Sequence, residues 1–166
     1  AYDEGEIRVK GRAARIRQPS VAAARGIGYA PKDRKENAIV YDLSILENVT
    51  LPSLRNFRRF LFLDRRKERE HADVHVKRLN VRMHNLNDPI QSLSGGNQQK
   101  IVFAKWLEAG SDVLVLDNPT QGIDVGAKSE IYELIMELSK AGKAIIVLSS
   151  EFGEILRVCD RIVVMF

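Results

Sequence analysis

The sequence has a single cysteine, Cys159, among its 166 residues. That excludes an internal disulfide and fits a reducing compartment, so the fold rests on its apolar core. Long apolar runs are missing too: none approaches the roughly 20 residues that a membrane-spanning helix needs. No charged-then-apolar leader opens the chain, and nothing in it argues for secretion. Internal repeats and low-complexity tracts are absent. A grip for β- and γ-phosphates is also missing, because no lysine stands inside a glycine-rich loop of the right spacing.

What remains is an ordinary soluble composition, 45% hydrophobic and 29% charged, in a length that suits one domain with a sizeable core. The net charge is +4, and the basic surplus is concentrated in residues 55–82. Such a surplus suits a nucleic-acid or anionic-membrane surface. Here Asp64, Glu68, Glu70 and Asp73 interleave with the bases, as they do on exposed helices, so a solvated helix face is the favoured reading. Glu68 is expected to find only weak partners there, such as His71. The chain opens on AYDEGEIRVKGR, which reads as the tail of a strand pair, and stops on the apolar RIVVMF. A piece of a longer protein is therefore expected.

Residues 93–100 read LSGGNQQK and carry the most chemistry. A serine and two glycines just ahead of a helix-forming run let backbone N–H groups turn outward without a Cβ in the way. The helix adds its unpaired donors and the positive end of its dipole. Without a lysine of its own, the stretch reads as half of a phosphate site.

Periodicity and punctuation predict the elements. Residues 6–9 alternate as a short strand, Pro19 opens a helix closed by Gly26, and residues 27–30 form a strand leading into the polar loop PKDRKENA. A helical element follows over 43–51. Residues 56–82 read as helical, with Leu61, Phe62, Val74, Val76 and Leu79 turned inward. Residues 97–109 form a helix with Ile101, Val102, Ala104 and Leu107 toward the core. The run VLVL at 113–116 marks a strand buried on both faces. Helices over 128–141 and 153–158 alternate with strands over 144–148 and 162–166, which means parallel βαβ units.

Ligands in such sheets bind beyond the carboxyl ends of the strands. Asp117, directly after VLVL, is placed to hold Mg²⁺ directly or through water, or else to cap the next turn. Asp124 lies ahead of a helix and suits its N-cap. Ser149, Ser150 and Glu151 end the next strand, where a hydroxyl reaches a phosphate or caps a helix. The stretch GIDVGAKS at 122–129 imitates a phosphate loop, but its spacing is wrong and no strand leads directly into it.

These motifs together resemble the ATP-binding cassette (ABC) ATPases. LSGGNQQK resembles the family's signature, and VLVLDNPTQGIDVGAK resembles its Walker B strand with the D-loop after it. SSEFGEILRVCDRIVVM is similar to the switch region. GGNQQK with AKWL, GIGYAPKDRKENAI and ENVTLP look like the second cassette of the double-cassette ATPases of bacterial monosaccharide importers. The resemblance implies an α/β, P-loop NTPase-like parallel sheet core with an inserted α-helical subdomain. Its divisions are 1–42 and 106–166 for the core, and 43–105 for the helical subdomain ending in the signature and its helix. It implies ATP and Mg²⁺ as cofactors. Ser94, Gly95 and Gly96, with Gln98 nearby, would contact in trans an ATP held by a partner cassette. Asp117 would sit in the Mg²⁺ sphere, and Asp124 in the D-loop at the dimer interface.

Further partners implied are transmembrane permease subunits and, indirectly, a periplasmic sugar-binding protein, with no nucleic acid. The implied location is the cytoplasmic face of the bacterial inner membrane. The alternative is a non-transport cassette acting on nucleic acid or the ribosome. Three departures from the family stand out. Asn118 replaces the glutamate that polarises the attacking water, which weakens this cassette's own catalysis. Ser150 occupies the switch histidine position, a common choice in this subgroup. Lys32 occupies the coupling position, where the subgroup has an acidic residue. The Walker A loop is not in the sequence.

Overall fold

Strand β6 (Val113–Asp117) lies between β3 (Ile27–Ala30) and β7 (Ala144–Leu148), all parallel. Ile27 stands beside Val113, which stands beside Ala144, and Asp117 is level with Leu148. This is the geometry of a computed structural model that describes residues 5–165. The architecture is α/β. The β6–β7 crossover is α6 (Val125–Lys140), stopped by Gly142, and α7 (Phe152–Val158) follows β7. Antiparallel β1 (Arg8–Val9) and β2 (Arg12–Ala13) and helix α1 (Pro19–Ala24) precede the sheet.

One face of the sheet is covered. Ala30, Leu114 and Leu116 join Ile101, Val102, Phe103, Ile131, Ile135 and Leu138 in the main core. Gly28 faces Trp106, where a Cβ would come within 2.7 Å of the indole. The opposite face carries Tyr29, Val115 and Ile146 in one row, with Tyr29 and Ile146 exposed. Burial on both faces, expected for VLVL, is therefore corrected: Leu114 and Leu116 are buried, while Val113 and Val115 are half-buried. A run of apolar residues does not reveal whether a second layer covers it.

Between β3 and β6 the chain leaves the sheet for a helical excursion. Helix α2 (Arg34–Asn37) interrupts the expected polar loop, because Asp33 accepts from the N–H groups of Lys35 and Glu36. Helix α3 (Ile45–Thr50) starts on a complete capping box between Ser44 and Glu47. Buried Asn48 accepts from Val40 N–H and donates to the carbonyls of Val40, Leu43 and Ser44. A 3₁₀ stretch, Leu51–Phe57, follows. Helices α4 (Arg65–Arg78) and α5 (Gly95–Glu108) pack with α3.

The continuous helix expected over 56–82 is broken by a hairpin, β4 (Arg58–Arg59) and β5 (Phe62–Leu63). Phe60 takes a left-handed φ of 55°, which no helix continues through, and Asp64 restarts the helix by capping Lys67 N–H. Leu61 and Phe62 consequently face solvent; Val74, on the outer side of α4, is exposed as well, whereas Val76 and Leu79 are buried as expected. Glu68 is fully buried between Thr50 and Arg65, in place of the weak surface partners expected.

Residues 162–165 form no strand. Strands need a hydrogen-bonded neighbour, and the sheet of the described residues ends at β3 and β7. Phe166, the last residue of that expectation, lies outside the described residues, as do the first four of the opening strand pair. No helix of the described residues is long and apolar enough to cross a membrane.

Candidate functional site

The stretch LSGGNQQK begins α5. Ser94 is its N-cap, with φ −63° and ψ 159°, and Gly95 and Gly96 already belong to the first turn. The helix thus starts two residues earlier than the pattern suggested. No side chain caps this turn, whose leading N–H groups have no partner within the helix. Ser94 is exposed; its Oγ accepts from Asn97 Nδ2 at 3.0 Å, and Asn97 Oδ1 accepts from Arg82 N–H. Gln98 points inward, donating to Leu93 and Ile90 carbonyls, and is buried.

The two glycines are required by what approaches them. A Cβ on Gly95 would lie 2.7 Å from Arg34 Nη2, and one on Gly96 would lie 2.7 Å from the Cβ of Ala127 on α6. Arg34 is buried at 8% exposure, and its guanidinium donates to the carbonyls of Gln121 and Gly122 at 2.7 and 3.1 Å. Its Nε is buried without a partner, and burial lowers its pKa below the usual range. One cation therefore ties the segment after β3 to the first signature glycine and to the loop after β6. The sequence reading missed Arg34. Two successive glycines at a helix start were the available signal, since missing side chains mark a close approach.

The second cluster stands at the end of β6. Asp117 Oδ2 accepts from Tyr29 OH at 3.2 Å, and Asp117 Oδ1 accepts from Asn118 Nδ2 at 2.8 Å. Burial and the adjacent carboxylate raise the Tyr29 pKa. Asn118 sits in the left-handed region at φ 45°, which asparagine tolerates. Its N–H donates to Leu148 O at 2.7 Å, and its Oδ1 accepts from Ser150 N–H and Oγ at 3.4 and 3.5 Å. One amide thus spans Asp117 and Ser150. Thr120 Oγ1 donates to buried Glu154 at 2.8 Å, a link absent from the sequence reading.

Two clefts collect these residues. Tyr29, exposed Lys32, Arg34, Asp117 and Gln121 line one of about 600 Å³. Ser94, Gly96, Asn97 and Asp124 line another of about 200 Å³. Asp124 is the N-cap of α6, its Oδ1 accepting from Ala127 N–H at 2.9 Å. In the imitation phosphate loop, Lys128 places its ammonium on both oxygens of Glu151, at 3.0 and 2.9 Å. That contact joins the start of α6 to the start of α7.

Comparison with known proteins gives consistent results. The family model described as ABC transporter matches residues 1–121. The chain is 51% identical over 164 residues to a ribose/galactose/methyl galactoside import ATP-binding protein 3 of Burkholderia ambifaria, covering 98% of this chain and 32% of that one. It is 47% identical to the ribose import ATP-binding protein RbsA of Rhodopirellula baltica, over 97% of this chain and 32% of the relative. The chain thus spans about a third of the length of these relatives. A nucleotide-free ATP-binding cassette from an ABC transporter superimposes with a TM-score of 0.75 at 20% identity, covering 95% of this chain and 64% of that one.

Proposed function

This chain belongs to the ABC transporter family, and we propose that it forms part of the ATP-hydrolysing subunit of a sugar importer, offering its signature turn to an ATP held by a partner cassette. The observation that carries the reading is the uncapped first turn of α5. Exposed Ser94 and the glycine N–H groups form a donor surface for a phosphate. The chain's 51% and 47% identity to relatives whose names include sugar import and ATP binding supports the substrate class.

The roles divide by position. Ser94, Gly95 and Gly96 present donors, and Gln98, turned inward, holds the turn's carbonyls rather than reaching outward. Asp124 caps α6 beside them at the cassette interface. Asp117, which accepts from Tyr29 and Asn118, lines the larger cleft. A single carboxylate at the end of β6, lining a cleft, suits Mg²⁺, which is held by one or two carboxylates together with phosphates and water. When bound, Mg²⁺ neutralises phosphate charge.

Asn118 sets the chemistry of the local site. An amide bonded to both Asp117 and Ser150 orients a water or a phosphate oxygen, but takes no proton. A general base is typically worth about 10²–10⁴-fold, so this cassette binds nucleotide with weakened hydrolysis of its own. Ser150 supplies a hydroxyl at the switch position. Lys32, on the cleft wall, faces permease subunits at the cytoplasmic side of the inner membrane, with the periplasmic sugar-binding protein acting on their far side. The helical segment 43–105 lies on that permease side.

The test is ATP hydrolysis by the intact subunit in its transporter, comparing the native protein with Asn118→Glu. A gain in rate supports a silent local site. An unchanged rate, with the native site already fast, contradicts it.

A further inference from the structure

Phe60, Leu61 and Phe62 are 87%, 85% and 78% exposed, and line neither of the clefts above. They stand in succession at the tip of the β4–β5 hairpin. A tip serving only to reverse the chain favours glycine or asparagine at a left-handed position. Here phenylalanine occupies φ 55°, a conformation its side chain disfavours. Arg58 Nε holds the turn by donating to Phe60 O at 2.7 Å.

Cations surround the tip. Arg58 and Arg59 form its first strand, and Arg55 ends the preceding 3₁₀ stretch. None of the three pairs with a carboxylate among the described residues. Arg66 extends from the neighbouring helix in a fully solvated pair with Glu70. The nearby Asp64 is occupied as a helix cap. Large apolar side chains in front and guanidinium groups behind are the chemistry of a boundary between acyl chains and anionic headgroups.

We propose that this hairpin inserts Phe60, Leu61 and Phe62 into an anionic bilayer surface, with Arg55, Arg58 and Arg59 on the lipid phosphates. The cluster is three residues wide, beside an open cleft of about 460 Å³ that Phe60 and Phe62 share with Arg59, Leu63, Asp64 and Arg65, and is too small to build a protein interface of about 1,000 Å² by itself. A bilayer accepts such a protrusion without a matching groove. The contact is separate from the nucleotide chemistry and stands whether or not the chain serves a sugar importer.

The experiment is vesicle co-sedimentation of the intact polypeptide, free of permease. Expected is retention on vesicles of phosphatidylglycerol with phosphatidylethanolamine, and little on neutral phosphatidylcholine. Replacing all three apolar residues by serine should abolish retention. R55Q and R59Q should each weaken it about fivefold and flatten its salt dependence. All these side chains are solvent-facing, so unchanged circular dichroism is expected. In Leu61→Trp, indole fluorescence should shift to the blue and be quenched by brominated lipid, reporting insertion. Absence of binding to anionic vesicles overturns the proposal and leaves the tip to a protein partner. Retention of the triple-serine variant, or equal binding to neutral vesicles, also overturns it.

Discussion

The guanidinium of Arg34 fills the space into which a side chain at Gly95 would project, with only 2.7 Å between Nη2 and an ideal Cβ there. The same group holds two carbonyls of the loop after β6. Segments from three parts of the chain thus share one buried cation that has no carboxylate partner among the described residues.

The pair should therefore be energetically coupled. In Gly95→Ala the new methyl displaces the guanidinium, and the bonds to Gln121 and Gly122 weaken. Arg34→Ala loses the same bonds but makes room for the methyl. The cost of Gly95→Ala should accordingly be smaller by about 0.5–3 kcal/mol in the Arg34→Ala background. A denaturant-unfolding cycle measures this, and strictly additive costs would refute the coupling.

Gly96→Ala sets a harder steric problem. Its Cβ would lie 2.7 Å from the Cβ of Ala127, a side chain with nowhere to rotate, so α5 and α6 must separate. Overpacking of this kind costs about 1–3 kcal/mol. Ala127→Gly removes the opposing methyl and should return most of that loss. Equal costs with and without Ala127 would show that this contact is not the cause.

Asn118 combines a left-handed backbone with a bridging side chain. Both Asn118→Gly and Asn118→Ala lose the links to Asp117 and Ser150. Alanine also pays for φ 45°, about 1 kcal/mol or more that glycine avoids. The glycine variant should be the more stable of the two in thermal or urea unfolding. The reverse order would contradict the assigned conformation.

Lys105 is buried, and its ammonium donates to Ala38 O. Burial lowers its pKa from 10.5 to about 8. Between those values the unfolded chain keeps a proton that the folded chain has shed. This group therefore makes stability rise with pH across about 8 to 10.5, by up to roughly 1.4 kcal/mol per unit. Below 8 its full desolvation penalty persists. Lys105→Met should raise stability at pH 7 by about 1–3 kcal/mol and flatten the rise above pH 8 relative to the native protein. Parallel pH profiles would rule out Lys105 as the source.

Much of the fold was legible in local pattern. Strands β3 and β7 fall on the residues that their apolar runs mark, and α5 and α6 follow a helical period ended by Gly110 and Gly142. The hairpin at 58–63 was not legible, because FRRFLFL suits a helix face as well as two short strands. Only the left-handed Phe60 separates the two. The open face of the sheet was hidden because apolar strands read alike with one covering layer or two.

For the site, the sequence by itself determined which groups are present: a serine and two glycines at a helix start, Asp117 with Asn118 at a strand end, and no phosphate-gripping lysine. These are local facts, fixed by spacing along the chain. Only the tertiary structure decided who meets whom. Arg34 and Gln121 are 87 residues apart, and Asn118 and Ser150 are 32 apart. Their contacts arise from the parallel register of β3, β6 and β7, which brings the strand ends level. Periodicity reports which side of an element is buried, and carries no information on which distant residue comes to lie against it.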